Sequence, residues 1–112
     1  MRIHHLKTWP NPFTAVWKGD KTYEVRKNDR DFGVGDLLVL QEYDPRDGSH
    51  YRGQFTKRAV LARVSYLTEG GKWGLPEGLC VMALRVLEKT EEHGIGTFDG
   101  RIRQEHELER RA

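Results

Sequence analysis

Lys21-Thr22-Tyr23-Glu24-Val25-Arg26-Lys27-Asn28-Asp29-Arg30-Asp31-Phe32-Gly33-Val34-Gly35-Asp36-Leu37-Leu38-Val39-Leu40 is the stretch on which the fold class turns. Its first seven residues alternate, Tyr23 and Val25 pointing one way and Thr22, Glu24 and Arg26 the other, which predicts a half-buried strand with one charged face. The middle holds two glycines, three aspartates and a lone aromatic, the composition of a turn-rich loop. Leu37 to Leu40 is apolar at every position, so both faces of this second strand are expected to be covered, as in the centre of a sheet. Strand, glycine-rich loop and buried strand within twenty residues point to a small β architecture.

Upstream, residues 2 to 7 fit a short strand in which Leu6 faces the core while His5 and Lys7 face away. A helix follows: Thr8 is the expected N-cap, Pro10 and Pro12 suit a first turn, Phe13, Val16 and Trp17 fall on one stripe, and Gly19 ends it. Downstream, Asp44-Pro45-Arg46-Asp47-Gly48-Ser49 predicts a hairpin turn. Its return strand places Val60, Ala62, Val64 and Tyr66 on one face, with Lys57, Arg58 and Arg63 on the rim. A loop over residues 69–78 carries Trp73, expected to plug the mouth of a barrel, and a last strand runs from Cys80 to Leu87. The expected fold is therefore α+β, a small mixed β-barrel of about five to six strands with one helix near the N-terminus.

The chain has 112 residues, the length of one domain, and its 37% of apolar residues suffices for one core. Residues 1–87 form the expected domain, and 88–112, highly charged with isolated apolar residues, the expected mobile tail or nascent helix. Net charge is +4 over residues 1–87 and −2 over 88–112, so the basic excess lies on the folded part, as a surface meeting phosphates would have it. Cys80 is the single cysteine, in an apolar run, and is expected to be a reduced, buried thiol. No signal region and no run of about 18 apolar residues is visible, which predicts a soluble, cytoplasmic protein. His4, His5, His50, His93 and His106 lack zinc-ligand spacing, so no metal and no cofactor are expected.

One strand and its flanking turns collect Gly19, Lys21, Glu24, Arg26, Asn28, Asp29 and Arg30, more charge than a solvated face requires. Lys, Glu and Arg set side by side can fix one another's charge states and offer a cation, a base and a planar donor fork to one ligand. Lys21, Arg26 and Arg30 are candidates to hold a phosphate, Phe32 or Trp9 to stack on a base, and Asn28 to read a base edge. His5, as an acid, base or contact, and Lys7 complete the candidate ligand set.

The run Gly19-Asp20-Lys21-Thr22-Tyr23-Glu24-Val25-Arg26 resembles the G-x-K-x-x-E-x-R signature of ASCH domains, members of the PUA-like superfamily of small β-barrels. His5-Leu6-Lys7, Glu24 through Phe32 and Val34-Gly35-Asp36 further resemble a group of small bacterial and phage domains of unknown function in that superfamily. The resemblance covers roughly residues 3 to 87. It implies a PUA-like barrel with a cleft between the helix and the signature strand that binds RNA or nucleotides. Some relatives are similar to amidohydrolases that use a Lys, a Thr and a Glu on acylated cytidine, others to ribonucleases. Lys21 matches the amidohydrolase lysine, but Glu24 stands where those enzymes have the threonine. Three functions follow as expectations: an RNA- or nucleotide-binding module, expected to be monomeric; a small hydrolase with Lys21 and Glu24 catalytic; or a protein-interaction adaptor docking through the tail.

Overall fold

The computed structural model describes residues 1–46 and 53–112, so the Asp47-Gly48-Ser49 half of the expected turn, and His50, lie outside the described residues. The elements are β1 (Ile3–Thr8), α1 (Pro10–Lys18), β2 (Tyr23–Lys27), β3 (Leu37–Asp44), β4 (Gln54–Glu69), β5 (Leu79–Thr90) and α2 (Asp99–Arg111). The five strands form one sheet in the order β1-β3-β4-β5-β2, with β1 parallel to β3 and the other pairs antiparallel. The sheet curls into a half-barrel, the α+β class expected from the sequence, with two helices rather than one among the described residues.

Inside the curl, Leu6, Leu38, Leu40, Val60, Ala62, Val64, Cys80 and Met82 pack with Phe32 and with Phe13 and Val16 of α1. The helix closes one end. Its N-cap is Trp9 rather than Thr8, because β1 runs on through Thr8 and turns that side chain inward; no side chain caps the first turn. Gly19 ends α1 at φ 85°, a left-handed conformation that glycine adopts without a Cβ clash.

A second cluster of Leu37, Val39, Ala59, Leu61 and Phe98 lies on the outer face, with Met1, Leu87 and Ile102 against it. This is why Leu37 to Leu40 are apolar throughout: Leu38 and Leu40 fill the interior, while Leu37 and Val39 are covered from outside. The segment from residue 88 onward, expected as a charged, mobile tail or nascent helix, is strand to Thr90 and, from Asp99, the helix α2, anchored through Phe98 and Ile102. Two apolar residues one helical turn apart suffice to seat it, a signal too sparse to stand out among charges.

Three corrections concern sheet faces. In β4 the register shift between Val64 and Tyr66 turns Tyr66 outward, 67% exposed, away from the buried Val60, Ala62 and Val64. In β2 the alternation is real but inverted: Tyr23 and Val25 are 47% and 46% exposed and Glu24 is 3% exposed, so the charged face points inward. Arg58, expected on the rim, also turns in, to Glu42. Trp73 does not plug the barrel; it is 91% exposed at the tip of the β4–β5 loop.

Candidate functional site

β1 and β2 are the two edges of the sheet and share no backbone ladder. Arginines bridge them instead. Arg26 Nη2 donates to Lys7 O (2.8 Å) and to Thr8 Oγ1 (3.1 Å), and Arg30 Nη1 donates to His5 O (2.8 Å). Side-chain forks thus satisfy edge carbonyls that a further strand would otherwise cover.

Glu24 is the centre of this seam. Lys21 Nζ donates to its Oε1 at 2.8 Å and Arg26 Nε to its Oε2 at 2.9 Å. A carboxylate this buried is tolerable only with such partners, because removing a charge from water costs several kcal/mol. Lys21 and Arg26 keep 19% and 26% of their side-chain surface exposed, so both cations face water on one side and the acid on the other. They open onto a cleft of about 280 Å³ lined by Lys7, Thr8, Trp9, Pro12, Lys21, Glu24, Val25 and Arg26. Trp9 is 62% exposed and forms its apolar wall. Lys7 extends from β1 with Nζ 4.5 Å above the Tyr43 ring.

The other candidates are distributed differently. The Phe32 ring is 6% exposed and packs edge-on to His4 at 4.7 Å, so it belongs to the core and presents no stacking face. Asn28 Oδ1 accepts from Phe32 N at 3.0 Å, which folds the loop behind β2. His5 is exposed and lines a separate depression with Lys57 and His93 on the outer face. The fold therefore brings together Lys7, Lys21, Glu24 and Arg26, adds Thr8 and Trp9, and leaves His5, Asn28, Arg30 and Phe32 outside the cleft.

Two further polar clusters escaped the sequence reading. Arg58 makes a two-pronged contact with Glu42, Nε to Oε1 and Nη2 to Oε2, each 2.8 Å, and Thr56 Oγ1 donates to Oε1 at 2.6 Å. The Arg58 guanidinium holds the Glu42 carboxyl below its ordinary value, against burial, which pushes the other way. That guanidinium also lies 5.1 Å from the Phe13 ring and 5.2 Å from Trp17, so it seats α1. At the opposite end, Asp36 Oδ2 lies 2.9 Å from His4 Nε2 and accepts from Gly33 N, while its Oδ1 accepts from Arg2 N. Burial pushes Asp36 up, but these hydrogen bonds outweigh it and the carboxyl is lowered overall. Glu42 follows the buried Leu38 and Leu40 at a spacing of two, the one sequence signal that could have placed it inside.

Among the described residues, no three His, Cys, Asp or Glu side chains are grouped to hold a metal ion, and no helix is long and apolar enough to cross a membrane. A curled five-stranded half-barrel with two helices and a cation–carboxylate cleft at its seam defines a small α+β class of fold among the described residues. The chain belongs to the family described as "Domain of unknown function (DUF3850)", whose model matches residues 3–84, from β1 to within β5 and including the whole cleft. It is also similar to a protein of Escherichia phage P2 described as "Uncharacterized 12.9 kDa protein in GpA 3'region", 36% identical over 72 residues. That match covers 64% of this chain and 60% of the relative's length.

Proposed function

We propose that this chain is a nucleotide- or RNA-binding module of the ASCH/PUA-like type, working in the cytoplasm, with its ligand in the cleft between α1 and β2. The observation that carries this reading is the convergence of Lys21 and Arg26 on one buried carboxylate, in an open cleft walled by Trp9. Glu24 fixes the two cations in place; their remaining donors, with Lys7, meet a phosphate, and the Trp9 ring stacks on a base. With three cations and one acid among its lining residues, the cleft keeps a positive balance suited to an anion. The stacking role assigned to Phe32 or Trp9 falls to Trp9, since Phe32 is in the core.

The hydrolase alternative uses the same Lys21 and Glu24. Both Glu24 oxygens are engaged by cations, which favours anchoring over proton transfer. One experiment separates the two: amide NMR titration with short single-stranded RNA, cytidine, acylated cytidine and a nucleotide, at low and physiological salt, on the wild type and on Lys21→Ala. Shifts confined to residues 7–12 and 21–26, weakened several-fold in Lys21→Ala, are expected for a phosphate contact. Product signals that vanish in Lys21→Ala would transfer the cleft to the hydrolase, and an unperturbed spectrum with every ligand would overturn both.

A further inference from the structure

Among the described residues, the outer face of β4, β5 and β2 is left exposed at Tyr23, Val25 and Tyr66 beyond α2, whose Glu105 and Glu109 border it at Arg63. Its register sets Tyr66 beside Ala83 and Ala83 beside Tyr23, so two tyrosines lie in one row on either side of β5. The next row is Thr68, Val81 and Val25. Tyr66 is 67% exposed and Tyr23 47%. Neighbouring strands lie about 4.8 Å apart, which puts the two tyrosine positions roughly 10 Å from each other across the sheet.

Trp73 extends this row. Tyr66, Thr68, Lys72 and Trp73 line one groove of about 400 Å³ with Gly33 and Val34. The loop that carries Trp73 is tightly built: Gly71 N donates to Leu75 O at 2.7 Å and Leu75 N to Lys72 O at 2.9 Å. A Cβ on Gly70 would collide with the backbone carbonyls of Pro76 and Leu79. Trp73 itself sits at φ 56°, a left-handed conformation that a bulky residue seldom adopts. A closed turn that holds a tryptophan in an unfavourable conformation, wholly in solvent, is a feature that folding alone does not require.

Charge points to the occupant. Arg63 and Arg85 are directly opposed across β4 and β5, both exposed, with no ion-pair partner within 4.0 Å among the described residues. Like charges directly opposed across a ladder are destabilising. Lys72 lies at the far end of the row, and Lys21 Nζ is 5.0 Å from the Tyr23 ring. Glu69 is the acid within the groove.

We infer that this face is a stacking platform for single-stranded nucleic acid, with Tyr23, Tyr66 and Trp73 taking bases and Arg63 and Arg85 taking phosphates. Aromatic rings accept any base, and exposed arginines neutralise the backbone without reading sequence, so the strand is bound with little base preference. The platform is distinct from the cleft between α1 and β2 and does not rest on its assignment. Tyr23 and Lys21 form the border between the two, so a strand that leaves the platform across β2 reaches the cleft.

The test is fluorescence anisotropy of labelled ten-nucleotide oligouridine and oligothymidine against the full chain, with a salt series and with light scattering of the protein alone. Tyr66→Ala and Trp73→Ala are expected to weaken binding by roughly five- to 150-fold each, the range for loss of one stacked base. Arg63→Ala/Arg85→Ala should reduce the salt slope by about 1.4, at roughly 0.7 per phosphate contact on a single strand. All four residues are exposed, so circular dichroism and thermal midpoint should stay close to wild type. Binding lost in Lys21→Ala but unchanged in Tyr66→Ala and Trp73→Ala would overturn the platform and leave the cleft standing; the reverse would support the platform and confine the cleft to a ligand other than the oligonucleotide. No oligonucleotide binding, or a dimer that Tyr66→Ala dissolves, would overturn the inference, the latter by showing that a second copy covers this face.

Discussion

Replacing Arg26 by alanine should expose how far the half-barrel depends on its side-chain seam. The substitution removes the 2.9 Å bond to Glu24 Oε2 and the bonds to Lys7 O and Thr8 Oγ1, leaving a carboxylate that is 3% exposed with Lys21 as its one cation. Breaking a fully buried pair costs about 3–5 kcal/mol. Arg26 keeps 26% of its side chain in water, so solvent can follow into the vacancy and the expected loss is smaller, about 2–3 kcal/mol. At about 2.1 cal/mol/K per residue, a chain of 112 residues loses about 4 °C per kcal/mol, so the midpoint should fall by about 10 °C. Urea unfolding is the direct assay: the midpoint should drop with the m-value unchanged. Arg26→Lys restores the charge but cannot reach the acid and the β1 carbonyl together, and should recover about half. Pairing Arg26→Ala with Glu24→Gln should cost less than the sum of the two, since the second change removes the orphaned charge. A loss below about 1 kcal/mol for Arg26→Ala would place the contact among ordinary surface pairs and refute the seam.

Acid should weaken the fold through Glu42 and Asp36. Both carboxyls are lowered in the folded state, so their contribution is complete above the ordinary carboxyl range near 4 and is lost as pH falls through the folded values. Unfolding free energy should therefore decline below pH of about 5; Glu42→Gln should be less stable than wild type at neutral pH, and the gap should narrow on acidification. A gap independent of pH would refute the assigned ion pair. Cys80 is fully buried, and burial, with the negative charge of Asp29 adding to it, pushes its thiol up. A thiol reagent at mildly alkaline pH should leave the native protein unmodified and label it completely in guanidinium; fast native labelling would contradict the interior placement of β5.

The sequence by itself determined the elements whose signal is local. Phe13, Val16 and Gly19 define α1 within nine residues, and Leu37 to Leu40 mark a strand covered on both faces, because helical and strand periodicity are properties of neighbouring side chains. It also singled out Lys21, Glu24 and Arg26, since three charges gathered in a short strand and the turn before it are unusual whatever surrounds them. Only the tertiary structure decided which way that strand faces. Alternation fixes two faces but not which is buried, and hydrophobicity assigns Tyr23 and Val25 to the core; the inversion becomes favourable once Arg26 meets the Lys7 carbonyl of β1, nineteen positions away in sequence. The same limit hid Arg58, whose partner Glu42 lies sixteen residues away, and the docking of α2, where two apolar residues find a sheet face that exists only after β3 and β4 pair. Phe32 and Trp73 exchanged their expected places for this reason: a lone aromatic in a glycine-rich loop is equally suited to a core or to open solvent, and the path of the chain around it decides.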